Sequence, residues 1–458
     1  MSNIERRKRQ DRLLITLMFT LIISMMSATM FNIVLPEIKN DFRINTAQVS
    51  WITSIYILVF SIGTIMYGKL ADTIKLKNLL TVGVLLCAVG SLIGLSAQAY
   101  SVVLLGRFIQ AVGAAVIPAT AMIIPVRYFN QEERGRAFGM ASAGIALGNA
   151  VGPVVSALLV SVVHWQWLFC LPLFFLLTVP FYRKYLDDTE KKRSKFDWIG
   201  GLLLGSGVAL IMLSVTEGIW LLSIGGLFVL SLFIWRIHLA VTPFLRPELL
   251  KNKHYRIGLL IAFLSTGTGF SLYFLSPLLF ANVNDLAPGL IGFSMVPAAV
   301  IAATLGLKGG KLADTKGNSY LFYFASLLLV ICFFLLSSVV GISVFVIATI
   351  LIIGNVGQTF IIIALSNVVS STLYQRDAGV GMGLMATLNF ISGGIAATVF
   401  SKMVDLGSTV TWNPLHIYEN GYVFSNIYLV LFVINILIVA LYYYHFHKKS
   451  FRTKVDTL

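Results

Sequence analysis

Gly68-Lys69-Leu70-Ala71-Asp72-Thr73 recurs letter for letter as Gly310-Lys311-Leu312-Ala313-Asp314-Thr315, 242 residues further on. The chain therefore carries an internal duplication. Each copy closes a long apolar run, and such runs fill the sequence. A bilayer core takes about 20 mostly apolar residues per helix. Fourteen runs qualify: 13–35, 50–70, 79–98, 102–126, 137–160, 167–182, 198–217, 220–240, 257–280, 289–307, 320–340, 343–369, 379–400 and 422–445. At about 30 residues per span with its loop, the offset corresponds to eight helices, two more than a six-helix half needs. The surplus is the pair at 198–217 and 220–240. The expected fold is all-α integral membrane, with fourteen transmembrane helices in two six-helix pseudo-symmetric halves and an inserted helix pair. The expected segments are a cytoplasmic N-terminus (1–12), an N-terminal six-helix bundle (13–182), the inserted pair with cytoplasmic flanks (183–256), a C-terminal six-helix bundle (257–445) and a cytoplasmic tail (446–458). Repeats of this kind commonly mark secondary transporters.

Composition agrees with a chain that sits in lipid. Hydrophobic residues make up 57% and charged residues 12%, about half the charged share of a soluble domain, so polar surfaces for soluble domains are excluded. The net charge of +15 is mostly topology: 30 of the 34 Lys and Arg fall in segments placed in the cytoplasm, counting Lys69 and Arg236 at the cytoplasmic ends of their spans. Lys39, Arg43 and Lys402 fall outside, and Arg107 lies within the fourth span. The positive-inside rule thus puts both termini of a multi-pass cell-membrane protein in the cytoplasm. Runs such as Lys191-Lys192-Arg193 are expected to attract anionic membrane lipid. No basic region is large enough to dock nucleic acid. Cys87, Cys170 and Cys332 all lie in apolar runs, which argues against a disulfide framework. Glu5-Arg6-Arg7-Lys8-Arg9 before the run from Leu13 has the basic flank of a signal peptide but not its short core or cleavage site, and reads as the flank of a retained first span.

Three residue sets carry candidate mechanism. In the duplicated segment Gly68 and Gly310 permit a tight turn, and Asp72 and Asp314 can cap the next helix or pair with a cation. With Lys77 these are the candidate gating loops; an ordinary topogenic turn is the other reading. Arg107 is the one charge well inside a span, where it costs roughly 2.5 to 3.5 kcal/mol on insertion scales. Gln110, Ala111, Ala114 and Pro118 follow on the same face, which is expected to line a cavity; a structural inter-helix arginine is the alternative. Gly144, Gly148 and Gly152 recur at every fourth position before Pro153, a face for close helix approach and a local bend. That face serves packing, or a contact that rocks or seals against leak. Asn32, Asn149, Gln358 and Asn389 are the candidate substrate-lining amides.

These motifs resemble the major facilitator superfamily, and within it the fourteen-helix drug:proton antiporters that include Gram-positive tetracycline and multidrug exporters. The match rests on Gly68 to Asp72 with Lys77, on Arg107-Phe108-Ile109-Gln110-Ala111-Val112-Gly113, and on Gly144, Gly148 and Gly152-Pro153, which is similar to the antiporter motif of exporters. Phe196-Asp197-Trp198-Ile199-Gly200 and Thr242-Pro243-Phe244 flank the inserted pair as in that subgroup. The acidic residue usual near Ser27 or Ala28 is absent. The resemblance implies proton coupling at Arg107 and Gln110 and efflux by alternating access.

The expected function is proton-coupled efflux of amphiphilic drugs, tetracycline-like or multidrug. Export of an endogenous metabolite, fatty acid or lipid precursor is the alternative. With no carboxylate at mid-membrane depth, neutral, zwitterionic or anionic amphiphiles fit better than permanent cations. The partners are such a small molecule, protons and membrane lipid, and the chain is expected to be a monomer. No cofactor or metal is expected. No Gly-x-x-x-x-Gly-Lys-Ser/Thr loop supports an ATP-driven pump, and no converging His, Asp or Glu set supports an enzyme.

Overall fold

Helix after helix begins where a polar or basic stretch gives way to an apolar run. The computed structural model describes residues 3–186, 197–240, 243–286, 288–374, 377–416, 418 and 421–447. Lys191-Lys192-Arg193, Phe196, Thr242 and the tail from 448 lie outside the described residues. In order, the helices are α1 (Asn3–Thr29), α2 (Phe31–Phe42), α3 (Thr46–Thr73), α4 (Leu76–Leu95), α5 (Tyr100–Ala114), α6 (Val116–Tyr128), α7 (Arg134–Val160) and α8 (Val179–Tyr185). The inserted pair is α9 (Trp198–Glu217) and α10 (Trp220–Leu239). The rest are α11 (Pro247–Lys251), α12 (Lys253–Asn282), α13 (Pro288–Lys316), α14 (Asn318–Val339), α15 (Val344–Ser371), α16 (Ala378–Leu406) and α17 (Tyr422–Tyr442). Among the described residues there is no strand. Among the described residues thirteen helices are long and apolar enough to cross a membrane, one fewer than the fourteen expected, and the apolar stretch Trp198–Ser214 of α9 is shorter than the rest.

Three elements differ from the sequence expectation. The N-terminal dozen residues are part of α1 from Asn3, and Arg9 Nε and Arg12 Nη1 donate to the Tyr185 carbonyl and hydroxyl at 2.9 and 3.2 Å. The sixth span winds as a 3-10 helix over Trp165–Thr178, around Pro172, which has no N–H to give, before α8 begins. The duplicated segments are not turns: residues 68–73 are the last turns of α3, and 310–315 lie in α13. The glycines there serve close approach instead, as shown below.

The chain forms two compact units. The first comprises Met1–Asn130, Leu147–Leu249 and Leu373–Thr387; the second comprises Gln131–Ala146, Leu250–Thr372 and Leu388–Leu458. Helices α7 and α16 are thus each divided, with their opening turns in the unit opposite to the remainder.

Inside the first unit α4 and α5 pack along a glycine seam. A Cβ on Gly106 would stand 2.9 Å from the Cα of Gly94, and one on Gly83 would stand 2.8 Å from the Gly113 carbonyl oxygen. The backbones touch because side chains are missing. The second unit repeats the device between α14 and α15, where a Cβ on Gly354 would meet Cys332 Sγ at 2.5 Å. Cys87 and Cys332 are buried free thiols in these seams, and Cys170 is free and half-buried.

Candidate functional site

The α4–α5 seam brings polar groups to Arg107, which is completely buried. Its Nε donates to the Ile52 carbonyl at 3.2 Å, and Nη1 donates to the Ser27 carbonyl at 3.3 Å and to Gln110 Oε1 at 2.6 Å. Gln110 Nε2 donates to Ser91 Oγ at 2.9 Å, and Ser91 donates to the Cys87 carbonyl at 2.8 Å. The guanidinium lies between two rings, with Cζ 3.9 Å from the Tyr56 centroid and 4.3 Å from that of Phe31. Cation–π attraction of about 2 kcal/mol or more per desolvated contact offsets much of the insertion cost. Among the described residues no carboxylate lies within ion-pair distance of it. Phe31 and Ile52 also belong to an apolar cluster with Val34, Val103, Trp165 and Phe169, against which Tyr100 packs.

The two aspartates of the duplicated segment do one job twice. Asp72 accepts the Gly379 and Val380 amides, each at 3.2 Å, at the start of α16. Asp314 accepts the Gly135 and Arg136 amides at 2.7 and 2.8 Å, at the start of α7. The cap positions of the helices that follow are Lys75 before α4 and Gly317 before α14, and neither residue makes a side-chain cap bond. A carboxylate at a helix N-terminus answers unpaired amides and the positive end of the dipole. Asp72 also holds Arg127 Nη2, while Arg127 Nη1 donates to the Ala71 carbonyl at 2.6 Å. The glycines let the helices close: a Cβ on Gly68 would stand 2.7 Å from the Gly379 carbonyl oxygen, and one on Gly310 would stand 2.8 Å from the Arg136 Cα. Lys77 stands in the first turn of α4.

The inserted pair is tied to the Asp72 latch through its flanks. Asp197 accepts the Gly200 amide that opens α9 and the Phe244 amide beyond α10. Lys69 Nζ donates to the Pro243 carbonyl at 3.3 Å, and Arg246 Nε stands 3.5 Å from Asp377 Oδ1, one residue before α16.

Gly148 and Gly152 bring α7 onto α1. A Cβ on Gly148 would lie 2.6 Å from the Ile22 carbonyl oxygen, and one on Gly152 would lie 3.1 Å from the Met26 Cα. Gly144 is buried, and α7 continues through Pro153. Gly148→Leu is expected to cost about 1–3 kcal/mol by overpacking, read as a lower Tm of the purified protein. A Tm equal to that of the parent would show that α1 and α7 separate without penalty.

Of the four candidate amides, two are brought to one stretch of α12. Gln358, buried, donates Nε2 to the Ser265 carbonyl at 3.4 Å, and Asn389 Oδ1 accepts Thr266 Oγ1 at 3.2 Å. Asn32 is exposed and Asn149 half-buried, and neither makes a side-chain hydrogen bond among the described residues.

A match to the Major Facilitator Superfamily runs over residues 17–397. The chain belongs to that superfamily. Its relatives include the riboflavin transporter RibZ of Clostridioides difficile (strain 630), 28% identical over 324 residues covering 68% of this chain and 69% of the relative. The lincomycin resistance protein LmrB of Listeria innocua is 27% identical over 398 residues, 84% of each chain. Multidrug resistance protein 3 of Bacillus subtilis is 26% identical over 62% of this chain and 57% of its own length. Among solved structures, the human organic anion transporter MFSD10 (TETRAN) superposes with a TM-score of 0.68 at 15% identity, covering 93% of this chain and 99% of that one. The proton:xylose symporter XylE does so with 0.66 at 12% identity, covering 96% of each.

Members of this superfamily are transporters rather than enzymes, and the two polar centres suit movement rather than bond chemistry. The sequence singled out Arg107 and Gln110 but not Ser27, Phe31 or Ser91, and it offered Tyr56 only as an apolar wall; all four surround the pair. One signal was available: Gly83, Gly90 and Gly94 against Gly106 and Gly113 mark the seam that sets Ser91 beside Gln110.

Proposed function

We propose that this superfamily member exports amphiphilic drugs across the cell membrane in exchange for protons, as a monomer with both termini in the cytoplasm. The two six-helix halves alternate access to a midplane site, and the inserted pair follows the first half. The observation that carries the reading is the paired latch. Each is a carboxylate holding two amides of a distant helix start, a contact strong enough to hold one state and local enough to release. Arg107 and Gln110 form the proton-coupling hub. Asn32, Asn149, Gln358 and Asn389 supply hydrogen bonds to the substrate. The drug-resistance names of two relatives support the substrate class, and the absence of a buried carboxylate beside Arg107 favours neutral, zwitterionic or anionic amphiphiles over cations. The riboflavin relative favours a second reading, export of an endogenous metabolite by the same cycle.

Inverted vesicles carrying an imposed pH gradient test both. Lincomycin, tetracycline, chloramphenicol, riboflavin and a fatty acid are added singly while a quenched dye reports proton release. At least one compound is expected to dissipate the gradient only where the protein is present. Uptake of a compound with no proton movement would sink the antiport reading; a response to riboflavin or the fatty acid alone would favour the metabolite.

A further inference from the structure

The Arg107 centre is short of negative charge and rich in unused donors. Its Nη2 has no hydrogen-bond partner, and the hydroxyls of Ser27 and Tyr56 have none besides each other, which leaves one of their two O–H donors unused. All three residues are completely buried. They are one cluster: Ser27 accepts Nη1 through its carbonyl, the Tyr56 ring covers the guanidinium, and the Tyr56 hydroxyl lies beside that of Ser27. Ser24 Oγ, three residues before Ser27 on α1, is also buried and unpartnered. The titratable groups that bear on Arg107 are Tyr56 and Cys87, both neutral at pH 7 by their ordinary values. Gln110 supplies only a neutral oxygen.

Buried polar groups are almost always paired, and a buried charge without a counter-charge is costly. Several donors, one of them charged and none matched by an anionic acceptor, make an anion site in their chemistry. Two aromatic faces further strip water from the cation, which strengthens any anion contact in the low dielectric.

We propose that Arg107 Nη2, with the hydroxyls of Ser27 and Tyr56, binds a dehydrated monoanion as the counter-charge of the buried guanidinium. The anion is a small inorganic ion such as chloride, or the carboxylate of a transported amphiphile. This goes beyond the export reading and does not depend on it, because occupancy is read without transport.

The test is the thermal unfolding of the purified full chain, followed by its native tryptophan fluorescence. Chloride or bromide replaces gluconate at constant ionic strength. A saturable rise in Tm of about 2–4 °C is expected with either halide. Tyr56→Phe keeps the stacking ring, removes one donor, and is expected to raise the half-saturating halide concentration about tenfold. Ser27→Asp supplies a built-in carboxylate, so its Tm is expected to be independent of halide and at or above that of the parent in gluconate, which separates loss of binding from loss of fold. A rise with a short-chain or fatty-acid carboxylate but not with halide, again abolished in Ser27→Asp, assigns the site to the substrate's own carboxylate. Equal Tm in gluconate, halide and carboxylate would overturn the proposal. So would a halide response that persists unchanged in both variants, since the ion would then bind elsewhere.

Discussion

Arg107→Lys is expected to abolish coupled transport even though it keeps the charge. Lysine has neither the planar surface that lies between Tyr56 and Phe31 nor the fork that reaches the Ile52 and Ser27 carbonyls and Gln110 together. Loss of two charge-assisted hydrogen bonds, about 1.5 kcal/mol or more each, corresponds to a fall of about 100-fold in substrate-driven proton release. Gln110→Leu strands Ser91 and one guanidinium donor and is expected to cost about tenfold. Both are read as initial rates in inverted vesicles, normalised to folded protein by size-exclusion chromatography. A lysine variant that couples at the parental rate would reduce Arg107 to a helix-packing element.

Asp72→Asn is expected to have the next largest effect. The substitution keeps size but removes the charge that binds Arg127 and the first amides of α16. A drop of about 10- to 100-fold in transport follows from about 1.5–3 kcal/mol per charged hydrogen bond. Asp314→Asn keeps one acceptor oxygen and so loses one of the two α7 amide bonds and the charge, whereas Asp72 also has the Arg127 ion pair, so Asp314→Asn is expected to be the milder of the two. Gly68→Val approaches the aspartate effect without touching charge, because its Cβ would press on the Gly379 carbonyl. Full transport in both Gly68→Val and Asp72→Asn would show that this contact does not open and close during the cycle.

The sites differ in how far sequence reaches them. Arg107 and Gln110 were legible because a charge inside an apolar run is conspicuous wherever the run folds, and their spacing of three puts them on one helix face. Ser27 was not, nor was the facing of the Tyr56 ring onto Arg107, since a hydroxyl in a span carries no signal until packing decides what it faces. Asp72 and Asp314 were legible as a repeated pair, and the cation offered to them is present for Asp72 as Arg127, but local reasoning could not reach the Gly379 amide 307 residues away. Of the lining amides, Gln358 and Asn389 meet one segment of α12, while nothing in the sequence separates them from exposed Asn32.

By itself the sequence determined the membrane class, the run of apolar spans, the duplication and the cost of one buried cation. These follow from hydropathy and repetition, properties that sum along the chain and need no knowledge of neighbours. Only the tertiary structure decided that the duplicated aspartates clasp remote helix starts, that the glycines of residues 68 and 310 permit contact rather than a turn, and that Arg107 lies between two rings with donors to spare. Those are choices among surfaces brought together from distant segments, fixed by where side chains are small enough for backbones to meet and by which polar groups are left to satisfy one another.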